Sequence, residues 1–323
     1  MKTPSFSSCG ILFFFLISSS LAFPQDSYTQ WEDNYNNGRD SRDSGESKKA
    51  QTLLEKAYGI AQIIFEENDE DFYYTVYYLA LTYRNNSDFN NTLKYYLQAL
   101  KILKRNFGTS DEEYISLLAR ISIIYKKLGD YKHALEYIEI YNESVKNTYG
   151  NGSKKHLLGI NSMCQIYGEM GVYNKAIAMQ KKSLSGQTNK DFTYVHTIFT
   201  LAYLYHGIQE FNKEIALLQE AINIMPDNER VYVNANSNLA VAYQEIGDYE
   251  NALKKILIVL EHTNEDDKNY STRLQNLAYV YMYLGEFDKS LKIYNQALRA
   301  CKNIYGEEHY LYGKMIDCVG QLY

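Results

Sequence analysis

Seven tyrosines recur along this chain at near-constant spacing. They are Tyr83, Tyr125, Tyr167, Tyr205, Tyr243, Tyr281 and Tyr323, separated by 42, 42, 38, 38, 38 and 42 residues. Around each lies one pattern. From Leu277 to Leu298, apolar Leu277, Ala278 and Tyr281 recur at helical spacing, Gly285 interrupts, and Leu291, Tyr294, Ala297 and Leu298 recur again. Neither apolar stripe can be buried by one short helix alone, so the unit predicts a helix hairpin that packs against copies of itself. A stack of repeats also voids the two-domain expectation that 323 residues would otherwise carry.

Complete units run from Leu79, Ile121, Met163, Leu201, Leu239 and Leu277. The hairpin turn carries Gly129, Gly171, Gly247 and Gly285, where a left-handed residue ends the first helix without steric cost. An aromatic follows in every unit: Phe89, Tyr131, Tyr173, Phe211, Tyr249 and Phe287. That ring is expected to wedge between the paired helices. Only 3 prolines in the chain suit near-continuous helix, and 33 tyrosines suit broad half-buried surfaces.

Residues 239 to 260, with Leu239, Ala240, Tyr243, Gly247-Asp248-Tyr249, Ala252, Leu253 and Leu260, resemble the tetratricopeptide repeat family, with Val259 in place of the second Ala. The resemblance covers residues 28 to 323 and implies an all-α, right-handed α-solenoid. The family period is about 34 residues, so these repeats are long. Phe107-Gly108, Tyr149-Gly150 and the run Tyr305 to His309 are similar to the longer repeat of kinesin light chains and bacterial relatives. Ser87, Gln209-Glu210 and Val172 depart from the Gly-Asp turn.

The ends differ from the middle. Lys2, the apolar run Ile11 to Ile17 and Ser20-Leu21-Ala22 read as a secretory signal peptide over residues 1–22, so an exported protein, periplasmic or secreted, is expected. No transmembrane helix is expected beyond that leader. Residues 26 to 47 have linker-like polarity. Yet a shift of 42 places Gly38 on Ala80, and Ala50, Leu53, Leu54, Ala57, Ile60 and Ile64 share a face. Residues 23–69 are therefore read as a polar lead-in and a degenerate capping repeat, followed by six repeats over 70–309. Residues 310–323 form the first helix of an incomplete eighth repeat, with Met315, Val319 and Leu322 uncovered. Either the chain is a fragment of a longer protein, which is the reading favoured, or that uncovered end self-associates with another copy.

Chemistry is poorly represented. Of the four cysteines, Cys9 lies in the leader, and Cys164, Cys301 and Cys318 form no metal or disulfide pattern. Cys164 occupies the small-residue position of Ala80, Ala202, Ala240 and Ala278, which is a packing role. Six scattered histidines lack zinc-helix spacing, and no phosphate loop or nucleophile motif is present. No catalytic residue, cofactor or metal is expected. A net charge of −6 offers nucleic acid no basic footprint.

The positive signal is a surface. In the resembled family the first helices line the concave side of the solenoid. Here those positions hold Tyr74, Tyr77, Arg84, Lys126, Lys127, Asn161, Gln165, His196, Phe199, Tyr203, His206, Asn234, Gln244, Gln275, Tyr279 and Tyr283. Rings to anchor side chains and amides to read backbone suit an extended peptide. The same rings also suit ordinary half-buried helix surface. The family's chaperone-tail clamp is not matched, since Leu81, Ile123 and Gln165 stand where it needs Asn and Lys. The expected function is a non-catalytic scaffold that binds a protein or peptide partner. The alternative is a sensory or regulatory region of a larger signalling protein or CHAT-type peptidase, with its output domain beyond residue 323.

Overall fold

The computed structural model describes residues 25–308 and 310–320, which form fifteen α-helices and no strand. The expected leader at 1–22, with Cys9, lies outside the described residues, as do His309, Leu322 and Tyr323. No helix of the described residues is long and apolar enough to cross a membrane. The described residues divide into two compact units, one up to Asn106 and one from Phe107. The all-α solenoid class is the one expected.

In the first unit, α1 (Gln25–Asp43) pairs with α2 (Ser47–Ile64), and α3 (Glu70–Asn85) precedes α4 (Phe89–Phe107). Despite its polar composition, α1 packs through buried rings. Trp31 is only 3% exposed, and its indole N–H donates to Thr75 Oγ1 at 3.0 Å. Its ring stacks on Tyr35 and meets Phe65 edge-on at 4.7 Å. A Cβ on Gly38 would lie 2.7 Å from Leu54 Cγ, so glycine permits the close approach of α1 to α2. Trp31 and Tyr35, spaced among asparagines and aspartates, bury what the average polarity conceals.

The second unit continues with α5 (Glu112–Lys127), α6 (Tyr131–Tyr149), α7 (Lys154–Glu169), α8 (Tyr173–Ser185), α9 (Phe192–Gly207) and α10 (Phe211–Ile224). Then come α11 (Glu229–Glu245), α12 (Tyr249–Glu261), α13 (Tyr270–Tyr283), α14 (Phe287–Tyr305) and α15 (Tyr310–Gly320). Second helices α4, α6 and α14 have 19 residues, whereas α8, α10 and α12 have 13 or 14. The 42-residue periods thus carry the long second helices.

The repeated tyrosines mark a backbone closure. The N–H groups of Asp88, Asp130, Val172, Glu210, Asp248 and Glu286 donate to the carbonyls of Tyr83, Tyr125, Tyr167, Tyr205, Tyr243 and Tyr281, at 2.8 to 3.0 Å. This is the six-to-one bond of a Schellman cap, which needs a left-handed residue just before the donor. Gly129 and Gly247 supply it at φ 76° and 77°, and Ser87 and Gln209 adopt it too, at φ 61° and 60°. Asp88, Asp130 and Asp248 then cap the second helix, accepting from Asn91, His133 and Asn251 N–H. Val172, Glu210 and Glu286 make no such cap.

The aromatic after the turn does not simply wedge inside its own hairpin. Tyr173 covers Gly207 of α9, where a Cβ would collide with the ring. Tyr249 stacks on Tyr283 of α13 at 4.7 Å, and Phe287 is 58% exposed. Standing first in the second helix, Tyr173 and Tyr249 reach the next repeat instead.

Where paired helices cross, small residues face one another. Ala80, Ser122, Cys164, Ala202, Ala240 and Ala278 are buried on the first helices. Thr92, Ala134, Ala176, Ala252 and Ser290 are buried on the second. Contact is close enough for Ser122 Oγ to donate to Ala134 O at 2.8 Å, and Ser290 Oγ to Ala278 O at 2.7 Å. Burial pushes the Cys164 thiol up to about 12, which keeps it protonated and supports its packing role. Glu214 breaks the pattern: it takes the alanine position of α10 and turns its buried carboxylate to His206 at 3.0 Å.

Candidate functional site

In the second unit α7 packs against α9 as well as against α8, so first helices lie side by side. Two adjoining cavities open along them. One of about 260 Å³ is lined by Lys126 of α5, Gln165 and Glu169 of α7, and His196, Phe199, Thr200 and Tyr203 of α9. The other, of about 210 Å³, is lined by Phe192, Val195, His196 and Phe199 of α9 and by Arg230, Val231 and Asn234 of α11. His196 and Phe199 are common to both. Six of the residues expected from sequence are thereby brought together: Lys126, Gln165, His196, Phe199, Tyr203 and Asn234. Larger cavities of about 520 and 630 Å³ lie along α14 and contain none of the expected residues.

The floor beneath His196 is polar and buried. Asn161, expected on the groove surface, is fully buried. It stands at the crossing with α8 and α9, where its Nδ2 lies 2.9 Å from His196 Nδ1 and 3.4 Å from Thr197 Oγ1. Gln180 of α8, also fully buried, places Nε2 2.5 Å from Asn161 Oδ1 and 3.1 Å from the Thr197 carbonyl. Burial, reinforced by the Arg230 charge, holds the His196 imidazolium pKa below its ordinary value. The ring in the middle of the groove is therefore neutral at pH 7.

The remaining expected residues lie elsewhere. In the first unit Tyr77 stacks with Tyr73 and Tyr96, Tyr74 tilts on Tyr73, and Arg84 donates to the Tyr96 hydroxyl at 3.4 Å. In the second, Lys127 is exposed and His206 is held by Glu214. Gln244 is half-buried with Nε2 enclosed, and Gln275 Nε2 lies 3.9 Å from Cys318 Sγ. Tyr279 and Tyr283 stay half-open but pack on each other at 4.6 Å. Sequence reasoning missed Glu169 and Arg230. Each was legible as the residue four away from an expected one, Gln165 or Asn234, and so on the same helix face.

Known proteins place this architecture. The tetratricopeptide repeat model matches residues 73–139 and 232–303. A tetratricopeptide repeat protein from Parabacteroides merdae ATCC 43184 is 15% identical with a TM-score of 0.62, over 90% of this chain and 99% of that one. Kinesin light chain TPR-like repeats from Podosopora anserina are 14% identical with a TM-score of 0.53, over 62% of this chain and 98% of that one. The apo quorum sensor NprR from B. thuringiensis is 19% identical with a TM-score of 0.51, over 92% of this chain and 77% of that one. At these identities the likeness is one of fold. Comparison with curated proteins returns no match. Residues 73–139 and 232–303 thus carry the tetratricopeptide repeat pattern, and the described residues have an all-α solenoid fold like that of solved tetratricopeptide repeat proteins.

Proposed function

We propose that this chain is a non-catalytic scaffold that holds an extended segment of a protein partner against α7, α9 and α11. The observation that carries this reading is the meeting of Phe199 and Tyr203 with Gln165, Asn234 and His196 along two adjoining cavities. At about 260 and 210 Å³, each falls below the roughly 300 Å³ at which drug-sized ligand sites begin. Each suits one anchoring side chain, and a row of such seats suits a peptide. The apolar run Ile11 to Ile17 supports an exported location for this activity.

A second reading, the regulatory region of a larger signalling protein, draws support from the fold likeness to a quorum sensor over 92% of this chain. Random-peptide phage selection on the whole chain tests the first reading. The double variant Phe199→Ala/Tyr203→Ala should bind the selected peptides more than about tenfold more weakly, as expected for loss of aromatic anchors. Its circular dichroism should match wild type. Unchanged binding would place the ligand on another surface.

A further inference from the structure

The buried amides under His196 have a fixed polarity. The Thr197 backbone carbonyl is an acceptor only, so the atom Gln180 turns to it at 3.1 Å must be the amide nitrogen. The same nitrogen faces Asn161, whose nearer atom must therefore be the carbonyl oxygen. That leaves the Asn161 amide nitrogen facing His196 Nδ1 and Thr197 Oγ1. Thr197 Oγ1 donates its own hydrogen to Thr193 O at 3.0 Å, so it can accept from Asn161. His196 Nδ1 is then an acceptor, and in a neutral ring the proton sits on Nε2. Gln180 Oε1 is left buried without a protein partner, the mark of a polarity imposed from one end.

Resting on the groove reading above, we propose that Asn161 and Gln180 are positioning residues that lock His196 as an Nε2–H donor. We propose further that this donor, with Arg230, seats a carboxylate side chain of an extended peptide beside Phe199. The cavity on the Arg230 side has Phe192, Val195, Phe199 and Val231 for an apolar neighbour, and its lining holds no carboxylate. Asp191, at the start of α9, is engaged by Lys154 at 2.8 Å and by the Thr193 and Tyr194 N–H groups. Among the described residues that line the two cavities, Glu169 is the one carboxylate, and it belongs to the other cavity with Lys126. An anion is thus favoured at one end only, where the exposed Arg230 and the half-buried His196 line the same cavity. Because the groove continues on both sides of His196, the occupant is an internal segment passing through.

Two measurements on the whole chain test this separately. Long-range nitrogen–proton NMR reads the His196 tautomer with no ligand present. The Nε2–H form should dominate at pH 7, and Asn161→Asp should switch the ring to Nδ1–H. A wild-type ring in the Nδ1–H form overturns the lock, whether or not the variant folds. In phage selection, Asp or Glu should be enriched next to a large apolar residue. C-terminally amidated synthetic copies of the selected peptides should bind wild type and bind Arg230→Gln at least tenfold more weakly. Peptides that need Phe199 but carry no acid, or that bind only with a free C-terminal carboxylate, overturn the seat and leave the groove standing. Peptides indifferent to Phe199 and Tyr203 overturn both.

Discussion

At the scale of single residues the repeats differ in how well they are finished. Ser87 and Gln209 adopt the left-handed conformation that Gly129 and Gly247 adopt freely. For a non-glycine residue that geometry costs roughly 1–2 kcal/mol. Ser87→Gly and Gln209→Gly should each stabilise the chain by about 1 kcal/mol, less the added entropy of the unfolded glycine. Val172→Asp should add about 1 kcal/mol by restoring the cap that Asp130 and Asp248 make. Denaturant titration checks both, and a loss of stability in any of the three would contradict this account of the turn. Glu214 is the reverse case. Burial raises its pKa above 4.5, and the hydrogen bond from His206 draws it back down. Without His206 the raised folded value stands alone. Stability from the protonated carboxyl is then full below the unfolded value and lost as pH rises through the folded one. His206→Ala should therefore fall further below His206→Ala/Glu214→Gln in melting temperature at pH 8 than at pH 5. An equal gap at both pH values would contradict it.

At the scale of elements, the periodic hairpins were legible because apolar spacing and the turn residues agree at every repeat. The first helix was legible only from the repeat register, not from its apolar content. Its asparagines and aspartates dominate its average, while Tyr28, Trp31 and Tyr35 carry the packing. Trp31 is the only tryptophan in the chain, so its fluorescence reports this hairpin alone. Repeat proteins are held by nearest-neighbour interfaces, and loosening one end need not unfold the rest. Phe65→Ala removes the ring that meets Trp31 edge-on. It should lower the urea midpoint seen by tryptophan fluorescence more than the midpoint seen by circular dichroism. Equal shifts would show α1 and α2 to be coupled to the whole array.

At the scale of the whole molecule, the groove is centred outside the stretches with the tetratricopeptide repeat pattern. Gln165, His196, Phe199 and Tyr203 lie between the two stretches that match the tetratricopeptide repeat pattern. Their position on a shared face was legible from register alone, because inner positions recur with the repeat. Asn161 was misplaced because register gives a direction and not a depth. The α7–α9 contact closes over it, and only the buried donor of Gln180 and the buried acceptor of Thr197 show why an amide stands there. The central claim is that the face of α7, α9 and α11 holds the ligand. Cross-linking tests it most directly, using a selected peptide that carries a photo-reactive phenylalanine, followed by mass spectrometry of the adducts. The account predicts adducts at Gln165, Phe199, Tyr203 and Asn234. Adducts confined to second-helix surface such as Lys181 and Lys254 would contradict it.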